Sequence, residues 1–116
     1  MKYEAPGDLT HEAAESLAAA DEPVALSEAL IALALGDGDV AWTAQFLLRF
    51  RAHPNANVRG NALLGFGHLA RRFRTVPDRG AVTAAITAGL ADPDTFVRGQ
   101  ADAAADDFAM FIGPLA

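Results

Sequence analysis

The sequence predicts an all-α fold of six helices arranged as three antiparallel pairs. Three observations support this prediction. First, 27 of the 116 residues are alanine, which loses no side-chain entropy in a helix. Second, no segment alternates polar and apolar residues over more than a few positions, as a half-buried strand would. Third, apolar patterns with helical spacing recur behind Thr, Asp or Asn, the residues that cap helix N-termini.

Each of the six predicted helices starts at a capping residue. The predicted spans, written from the cap, are Thr10 to Ala20, Asp21 to Leu35, Asp39 to Ala52, Asn55 or Asn57 to Phe73, Asp78 to Leu90, and Asp92 or Asp94 to Ile112. Pro23 and Pro93 fall in or near first turns, where proline is tolerated because its missing N–H would have no helical partner. The connecting loops are short, so consecutive helices are expected to run antiparallel.

Length and composition limit the class of protein. We expect one domain over residues 1–116, because a chain of this length buries enough surface for one core. The longest apolar run, Ala29 to Leu35, has seven residues, whereas a helix that spans a membrane needs about 20. The first residues lack the apolar stretch of a signal peptide, so the expected location is the cytoplasm. The sequence contains no cysteine, which excludes disulfides and cysteine-type zinc sites.

Charge is distributed in blocks. Residues 1–48 contain nine acidic residues and one lysine, residues 49–79 seven arginines and one aspartate, and residues 80–116 five aspartates and one arginine. The net charge is −6. Such blocks influence the choice of partner, but an acidic and a basic segment can also simply neutralise each other within the fold. Both interpretations stay open at this point.

An internal repeat is the strongest signal in the sequence. Residues 57–62, Asn-Val-Arg-Gly-Asn-Ala, return as Phe-Val-Arg-Gly-Gln-Ala at residues 96–101, displaced by 39 residues. The apolar stripe Val58, Ala62, Phe66, Leu69 and Phe73 returns as Val97, Ala101, Ala105, Phe108 and Ile112. Because these spacings of three and four residues follow one face of a helix, both stripes are expected to be buried.

A unit of about 40 residues with two helices and a Pro-bearing turn before Val-Arg resembles the HEAT repeat. The resemblance implies a short α-solenoid with a capping pair at residues 9–35 and repeats at residues 39–73 and 78–112. A single pair leaves its apolar stripe uncovered, so neighbouring pairs must stack. The repeated triplets are assigned a structural role: Val58, Arg59 and Gly60, and Val97, Arg98 and Gly99.

The arginines and glycines of the repeat have expected tasks. In HEAT-like repeats, an arginine at this position bonds to a carboxylate or carbonyl group of the adjacent repeat. The resemblance implies the same role for Arg59 and Arg98. Gly60, Gly65 and Gly67 each cost about 1 kcal/mol relative to alanine inside a helix. We therefore expect them to permit the close approach of a neighbouring helix, and we prefer this interpretation to a ligand site.

The sequence offers no catalytic constellation. His11, His53 and His68 share no spacing suited to one metal ion, and no His-Glu-x-x-His run occurs. No nucleophile elbow, phosphate loop or dinucleotide fingerprint is present. The sequence therefore predicts a protein that is not an enzyme, with no cofactor, no metal and no small-molecule substrate.

Carboxylates on the last helix are the main candidates for partner binding. Asp102 and Asp106 stand four residues apart, with Asp107 beside them, and the preceding repeat has Leu63, Gly67 and His68 in these positions. A feature absent from the sister repeat is not needed for the stacking that both share. We therefore predict a binding surface that contains these residues, with the other members taken from the acidic N-terminal part: Asp102, Asp106, Asp107, Glu12, Glu15, Asp39 and Trp42. The alternative is a solvated acidic face without a partner.

The aromatic residues of the third helix have a different expected role. Trp42, Phe46 and Phe50 are spaced four residues apart, and aromatic residues at helical spacing usually belong to the core. We expect Phe46 and Phe50 in the core and Trp42 at its edge.

Arg71, Arg72 and Arg74 form a basic cluster at the end of the fourth helix. Cations suit a helix C-terminus, but such a cluster can also bind nucleic acid. The pI near 4.8 and the lack of an adjacent series of aromatic residues disfavour nucleic acid, which remains a minor alternative.

The whole chain resembles a family of small bacterial HEAT-repeat proteins. The matching stretches are residues 9–15, 27–35, 42–45, 54–70 and 105–111. Members of this family resemble the immunity proteins of contact-dependent growth inhibition systems, which bind and neutralise the C-terminal domain of a toxin, often a nuclease. The resemblance implies a cytoplasmic protein-binding module whose partner is such a toxin domain. The alternative is an adaptor or scaffold for another protein partner. The alanine-rich last helix, Gly65 and Phe66 depart from the family pattern.

Overall fold

A computed structural model describes residues 9–115. This part of the chain forms α-helices and no strand, as the sequence predicts. The six helices are α1 His11–Ala20, α2 Pro23–Gly36, α3 Val40–Leu48, α4 Ala56–Phe73, α5 Arg79–Leu90 and α6 Thr95–Phe111. None of these helices is long and apolar enough to cross a membrane.

The even-numbered helices pack side by side in the order α2, α4, α6, so α4 is central. Helix α1 contacts α2, whereas α3 and α5 lie against α4 and against each other. Neither α1 nor α2 contacts α6. The α1–α2 pair and the α5–α6 pair therefore form opposite ends of the described molecule. The HEAT-like solenoid and its division at residues 9–35, 39–73 and 78–112 remain predictions.

Four helices start at caps that the sequence predicts. Thr10 accepts a hydrogen bond from the backbone N–H of Ala13, and Asp39 accepts one from that of Trp42. Asn55 and Asp94 cap α4 and α6, each with one carboxyl or amide oxygen that accepts two backbone N–H bonds. The cap side chain compensates N–H groups that have no partner inside the helix, which explains why these boundaries follow from local sequence.

One predicted cap is wrong, and a second has the predicted position but no capping hydrogen bond. Asp21 ends α1 in the left-handed conformation, with φ 50°, and Glu22 caps α2 instead. Asp78 occupies the N-cap position of α5, but it also has a positive φ of 53° and its side chain makes no capping hydrogen bond. Aspartate tolerates the left-handed region better than most residues, so both aspartates serve the turns between helices.

Helix α3 is shorter than predicted, ending at Leu48 rather than near Ala52. Beyond it, Arg49, Phe50 and Arg51 donate backbone hydrogen bonds to carbonyls three residues earlier. This tighter winding is common at helix ends, and it turns the chain toward α4.

The core follows the repeated stripes. Val58, Ala62, Phe66 and Leu69 of α4 are completely buried, and so are Val97, Ala101 and Phe108 of α6. Phe73, Ala105 and Ile112 are half-buried at the margin of the same core. Phe46 and Phe50 are buried as well, which confirms their assignment to the core.

The glycines of α4 sit at close helix contacts, as expected. A Cβ placed on Gly60 would lie 2.7 Å from the ring of Phe96, and one on Gly65 would lie 2.9 Å from Leu47. A Cβ on Gly67 would lie 3.0 Å from the Cα of Ala104. Gly99 differs, since within residues 9–115 no side chain or backbone beyond its immediate helical neighbours lies within 4 Å of its Cβ position.

Candidate partner-binding surfaces

The predicted binding residues form two surfaces rather than one. Glu12, Glu15, Asp39 and Trp42 lie on or next to α1 and α3, whereas Asp102, Asp106 and Asp107 lie on α6. Because α1 makes no contact with α6 and α4 lies between α2 and α6, the fold separates the two sets. We call the first the α1–α3 patch, defined by His11, Glu12, Glu15, Asp39 and Trp42.

Ring stacking holds the α1–α3 patch together. The imidazole of His11 stacks on the indole of Trp42 with ring centroids 3.7 Å apart, and Trp42 stacks in turn on Phe46 at 4.8 Å. The Nε2 of His11 donates to the carboxylate of Asp37 at 2.8 Å. Trp42 is half-buried, as the sequence predicts for the edge of the core, and the stack fixes α1 against α3.

Two acidic residues of the α1–α3 patch already have partners within the chain. Glu15 accepts two hydrogen bonds from Nη1 of Arg49, both at 2.8 Å, and the guanidinium of Arg49 also lies over the Phe46 ring. Asp39 caps α3. Glu12 is exposed in the first turn of α1, where the helix dipole favours a carboxylate. The Glu15–Arg49 pair and the His11–Trp42 stack therefore join α1 to the α3 segment.

The second surface is the side of α6 that points away from α4. We call it the α6 outer face, defined by Arg98, Gly99, Asp102, Asp106 and Met110, all of which are exposed. Met110 is 75% exposed. Asp102 and Asp106 make no ion pair within residues 9–115 and are four residues apart on one side of the helix. Their charges are therefore directed at solvent.

Asp107 does not belong to this solvated face. Its side chain is only 16% exposed and pairs with Nη2 of Arg71 at 3.2 Å. The carboxylate also covers Gly67, whose Cβ position lies 2.8 Å from Oδ2. Asp107 thus packs α6 onto α4, which sequence spacing alone did not reveal because its partner Arg71 lies in another helix.

The same contacts recur in α4 and α6 with the displacement of 39 residues. His53 accepts through Nδ1 the backbone N–H of Asn55, and Asp92 accepts through Oδ1 that of Asp94. Nη1 of Arg59 donates to the carbonyl of His53 at 2.9 Å. The equivalent Nη1 of Arg98 donates to the carbonyl of Asp92 at 2.7 Å. The repeat seen in the sequence is thus reproduced in hydrogen bonding.

Arg59 carries an additional tie that Arg98 lacks. Its Nε and Nη2 donate to the two carboxylate oxygens of Asp92 at 2.8 and 2.9 Å. The hydrogen bond from Arg59 lowers the pKa of Asp92, and the same bond raises the pKa of Arg59, in each case against the opposing effect of burial. This pair joins the turn before α6 to α4. Among residues 9–115, the Arg98 guanidinium bonds to Thr95 and to the Asp92 carbonyl but to no carboxylate.

A polar row links the three central helices. The amide of Asn61 on α4 donates to the carbonyl of Ser27 on α2 at 3.1 Å. Gln100 on α6, the repeat equivalent of Asn61, donates to the Asn61 side chain at 3.1 Å. Each repeat unit therefore uses the same position to bond to the unit before it.

The basic cluster is occupied by contacts within the chain. Arg72 donates to the carbonyls of Ala34 and Asp37, both at 2.8 Å, and so closes the C-terminus of α2. Arg71 pairs with Asp107, and the Arg74 guanidinium lies over the Phe111 ring. These contacts account for the cluster structurally.

The histidines occupy separate places. His53 donates from Nε2 to Asp21 at 2.7 Å, and His11 belongs to the α1–α3 patch. Burial lowers the pKa of His68 on α4, against an opposing effect of the nearby Asp107 carboxylate. Within residues 9–115, no three acidic or histidine side chains gather as a ligand set for a metal ion.

Sequence reasoning did not identify a groove beside α5. It has a volume of about 530 Å³ and lies between the turn that carries Arg51 and His53 and the alanine-rich side of α5. Arg59 and Asp92 also line it. No motif marks this groove, because its α5 wall consists mainly of alanines that the sequence pattern assigns to ordinary helix packing.

Comparison with known proteins identifies a similar fold. A chain in the crystal structure of a CDI complex from Cupriavidus taiwanensis LMG 19424 is similar to this protein, with a TM-score of 0.77 and 24% sequence identity. The match covers 96% of this chain and 97% of that chain. No protein-family model matches the sequence, and no curated protein matches it either. The similarity therefore establishes a shared fold over almost the full length.

Proposed function

We propose that this protein is an immunity protein of a contact-dependent growth inhibition system, which acts by binding a toxin domain rather than by catalysis. The observation that carries this proposal is the similarity in fold to a chain of a CDI complex, since it includes nearly all of both chains. The resemblance of the sequence to the family of small bacterial HEAT-repeat proteins agrees with this function.

We place the contact with the toxin on the α6 outer face. Asp102 and Asp106 are solvated and unpaired among residues 9–115, whereas Glu15 and Asp39 of the α1–α3 patch are engaged within the chain. A cationic surface, such as the substrate groove of a nuclease domain, could bind there without breaking an ion pair within this protein. Opposite charges on the two proteins would also accelerate their association.

Co-expression with a CDI toxin domain from the same genome tests the function. The immunity protein should restore growth of cells that produce the toxin domain, and the two chains should elute together from a size-exclusion column. Growth arrest that persists in the presence of the folded protein, with no complex on the column, would contradict the proposal. Restored growth together with co-elution of this protein with a protein other than the toxin domain would indicate an adaptor instead.

A double variant tests the surface. Asp102→Asn with Asp106→Asn should slow association and flatten its dependence on salt, because the variant removes long-range attraction. The matched control is Glu12→Gln with Glu28→Gln, which removes two exposed charges from α1 and α2, at the opposite end of the molecule. Association rates should fall by about threefold to tenfold for the α6 variant and stay near the wild-type rate for the control.

A further inference from the structure

The contact between α4 and α6 shows how one helix of this fold packs on the helix before it. Gly60 provides a notch that the ring of Phe96 fills, at 2.7 Å from the glycine's Cβ position. Arg59, one residue earlier, binds both carboxylate oxygens of Asp92. The incoming segment thus brings a carboxylate followed four residues later by an aromatic ring.

Helix α6 has the same arginine and glycine as α4 at the equivalent positions, but no helix in the described part of the chain packs on them. Gly99 is equivalent to Gly60, and nothing lies within 4 Å of its Cβ position. Arg98 is equivalent to Arg59, yet no carboxylate among residues 9–115 forms an ion pair with it. The notch and the guanidinium lie on the α6 outer face, on the same side as Asp102 and Asp106.

The remaining positions of this face differ from α4 in a way that selects the occupant. Leu63 and Gly67 of α4 are buried, but their equivalents Asp102 and Asp106 are exposed carboxylates. A Cβ at Gly67 would lie 3.0 Å from the Cα of Ala104. The carboxylate of Asp106 therefore holds an incoming helix farther away at this end, and the wider gap suits long cationic side chains.

A second copy of this chain is a poor occupant. Its free end would present α2, whose exposed residues include Val24, Glu28 and Leu35. Residues 1–48 contain nine acidic residues and only one lysine. Bringing this end against Asp102 and Asp106 would oppose like charges, which is unfavourable.

We propose that the α6 outer face docks a helix of a cationic partner protein in the way that α4 docks α6. The partner helix carries a carboxylate at its start that pairs with Arg98, and an aromatic side chain four residues later that fills the notch at Gly99. In α6, Ala104 and Asp107 lie eight and eleven positions after Phe96 and approach Gly67 of α4, which is equivalent to Asp106. The partner helix therefore carries lysine or arginine eight and eleven positions after its aromatic residue, where these side chains face Asp106. This proposal rests on the proposed function, since it specifies the partner contact.

Gly99→Trp tests the notch against a matched control. Gly99 is exposed on a helix and has open space around its Cβ position, so a tryptophan there should leave folding intact while filling the notch. Gly38→Trp is the control, because Gly38 has equally open space but adjoins Asp39 of the α1–α3 patch. We expect Gly99→Trp to weaken binding of the toxin domain at least about tenfold and Gly38→Trp to change it less than about twofold, as for hot-spot and neutral interface positions.

A synthetic helix tests the recognition pattern without the toxin. The probe copies residues 91–111 with Ala104→Lys and Asp107→Lys, and a covalent staple joins positions 102 and 106, on the side that points away from the docked surface. Fluorescence anisotropy should show saturable binding to the wild-type protein. Phe96→Ala in the probe, or Gly99→Trp in the protein, should each reduce the affinity at least about tenfold.

The outcomes separate this inference from the proposed function. If the toxin domain binds equally well to wild type and Gly99→Trp, the docking proposal is wrong and the immunity function is retained. If the stapled probe binds as designed but the toxin domain does not bind the wild-type protein, the docking surface is supported and the toxin assignment is wrong. Equal binding of the probe and its Phe96→Ala form would overturn the docking proposal.

Discussion

Helices α4 and α6 share a sequence pattern but differ in what covers them. Both start with an Asx cap, both bury a stripe that begins with valine, and both carry Val-Arg-Gly in the first turns. The outer side of α4 is covered by α6, whereas the same side of α6 is exposed. Buried residues on one helix correspond to carboxylates on the other, as Leu63 corresponds to Asp102.

This difference separates residues needed for the fold from residues available to a partner. The stripes that begin at Val58 in α4 and at Val97 in α6 are buried alike, so packing that both helices share explains them. Asp102 and Asp106 replace the buried Leu63 and Gly67 on the exposed side of α6, where stacking within residues 9–115 makes no demand. A terminal unit with a polar outer face also limits uncontrolled stacking of repeat proteins, so these charges are compatible with a capping end as well as with a selective surface.

Truncation of the shared core should produce the largest effect. Phe108→Ala in α6 and Leu69→Ala in α4 both remove completely buried side chains, so each should lower the free energy of unfolding by about 2–5 kcal/mol. Urea denaturation followed by circular dichroism measures this. A loss below about 1 kcal/mol for Phe108 alone would mean that α6 packs less firmly than α4, which contradicts the equivalence of the two stripes.

The repeated arginines should respond unequally. Arg59→Met leaves Asp92 without its partner, and because these side chains are only 16% and 13% exposed, we expect a loss of about 2–3 kcal/mol. Arg98→Met should change the free energy of unfolding by less than about 0.5 kcal/mol, as for most surface substitutions. Equal losses would show that Arg98 has a structural partner of comparable strength.

The Arg59–Asp92 pair should also make the free energy of unfolding depend on pH under acidic conditions. The pKa of Asp92 is lowered in the folded protein, so the pair stabilises the fold fully above the unfolded-state pKa, near 4. This stabilisation is lost as pH falls through the folded-state pKa. The free energy of unfolding, measured between about pH 2 and 6, should therefore decrease less steeply with falling pH in Asp92→Asn than in wild type. Asp106→Asn is the matched control.

The repeated glycines offer a test with opposite signs. Gly60→Leu would displace the Phe96 ring and should destabilise the protein by about 1–3 kcal/mol, as overpacking does. Gly99→Leu meets open space, and because leucine favours a helix more than glycine does, it should stabilise by up to about 1 kcal/mol. Thermal melts of the two variants distinguish these outcomes. Destabilisation at both positions would mean that the outer side of α6 is covered.

His68 should produce a smaller effect that depends on pH. Its pKa is lowered by burial, so the unfolded chain binds a proton more readily and stability falls as pH drops from the unfolded-state value, near 6.5, through the folded-state pKa. His68→Gln should remove this dependence between about pH 5 and 7. His11→Gln provides a comparison at a histidine in the other end of the molecule, and an unchanged slope in His68→Gln would refute the assignment.

Local signals explain what the sequence predicted well. Thr10, Asp39, Asn55 and Asp94 cap helices because the cap depends on residues two or three positions away. The turns at Asp21 and Asp78 were less predictable, since left-handed conformations are set by how consecutive helices pack.

The candidate site was predictable only in part, because its members are defined by distant contacts. The repeat located Asp102 and Asp106 on a side of α6 that differs from α4. The engagement of Asp107 with Arg71 and the stacking of His11 on Trp42 join residues more than 30 positions apart. No spacing rule within one helix anticipates such contacts, so only the fold revealed that the predicted acidic residues form two surfaces.

The α6 outer face can be observed directly during binding. The sequence contains two methionines and one tryptophan, and Met110 lies on the α6 outer face while Trp42 lies in the α1–α3 patch. A titration with the toxin domain, followed by NMR of the Met110 methyl and Trp42 indole N–H signals, reports on both surfaces at once; Met110→Leu assigns the methyl signal. We expect the Met110 methyl signal to shift or broaden up to saturation while the Trp42 indole signal stays unchanged. A shift of Trp42 with an unaffected Met110 in a saturated complex would contradict this expectation.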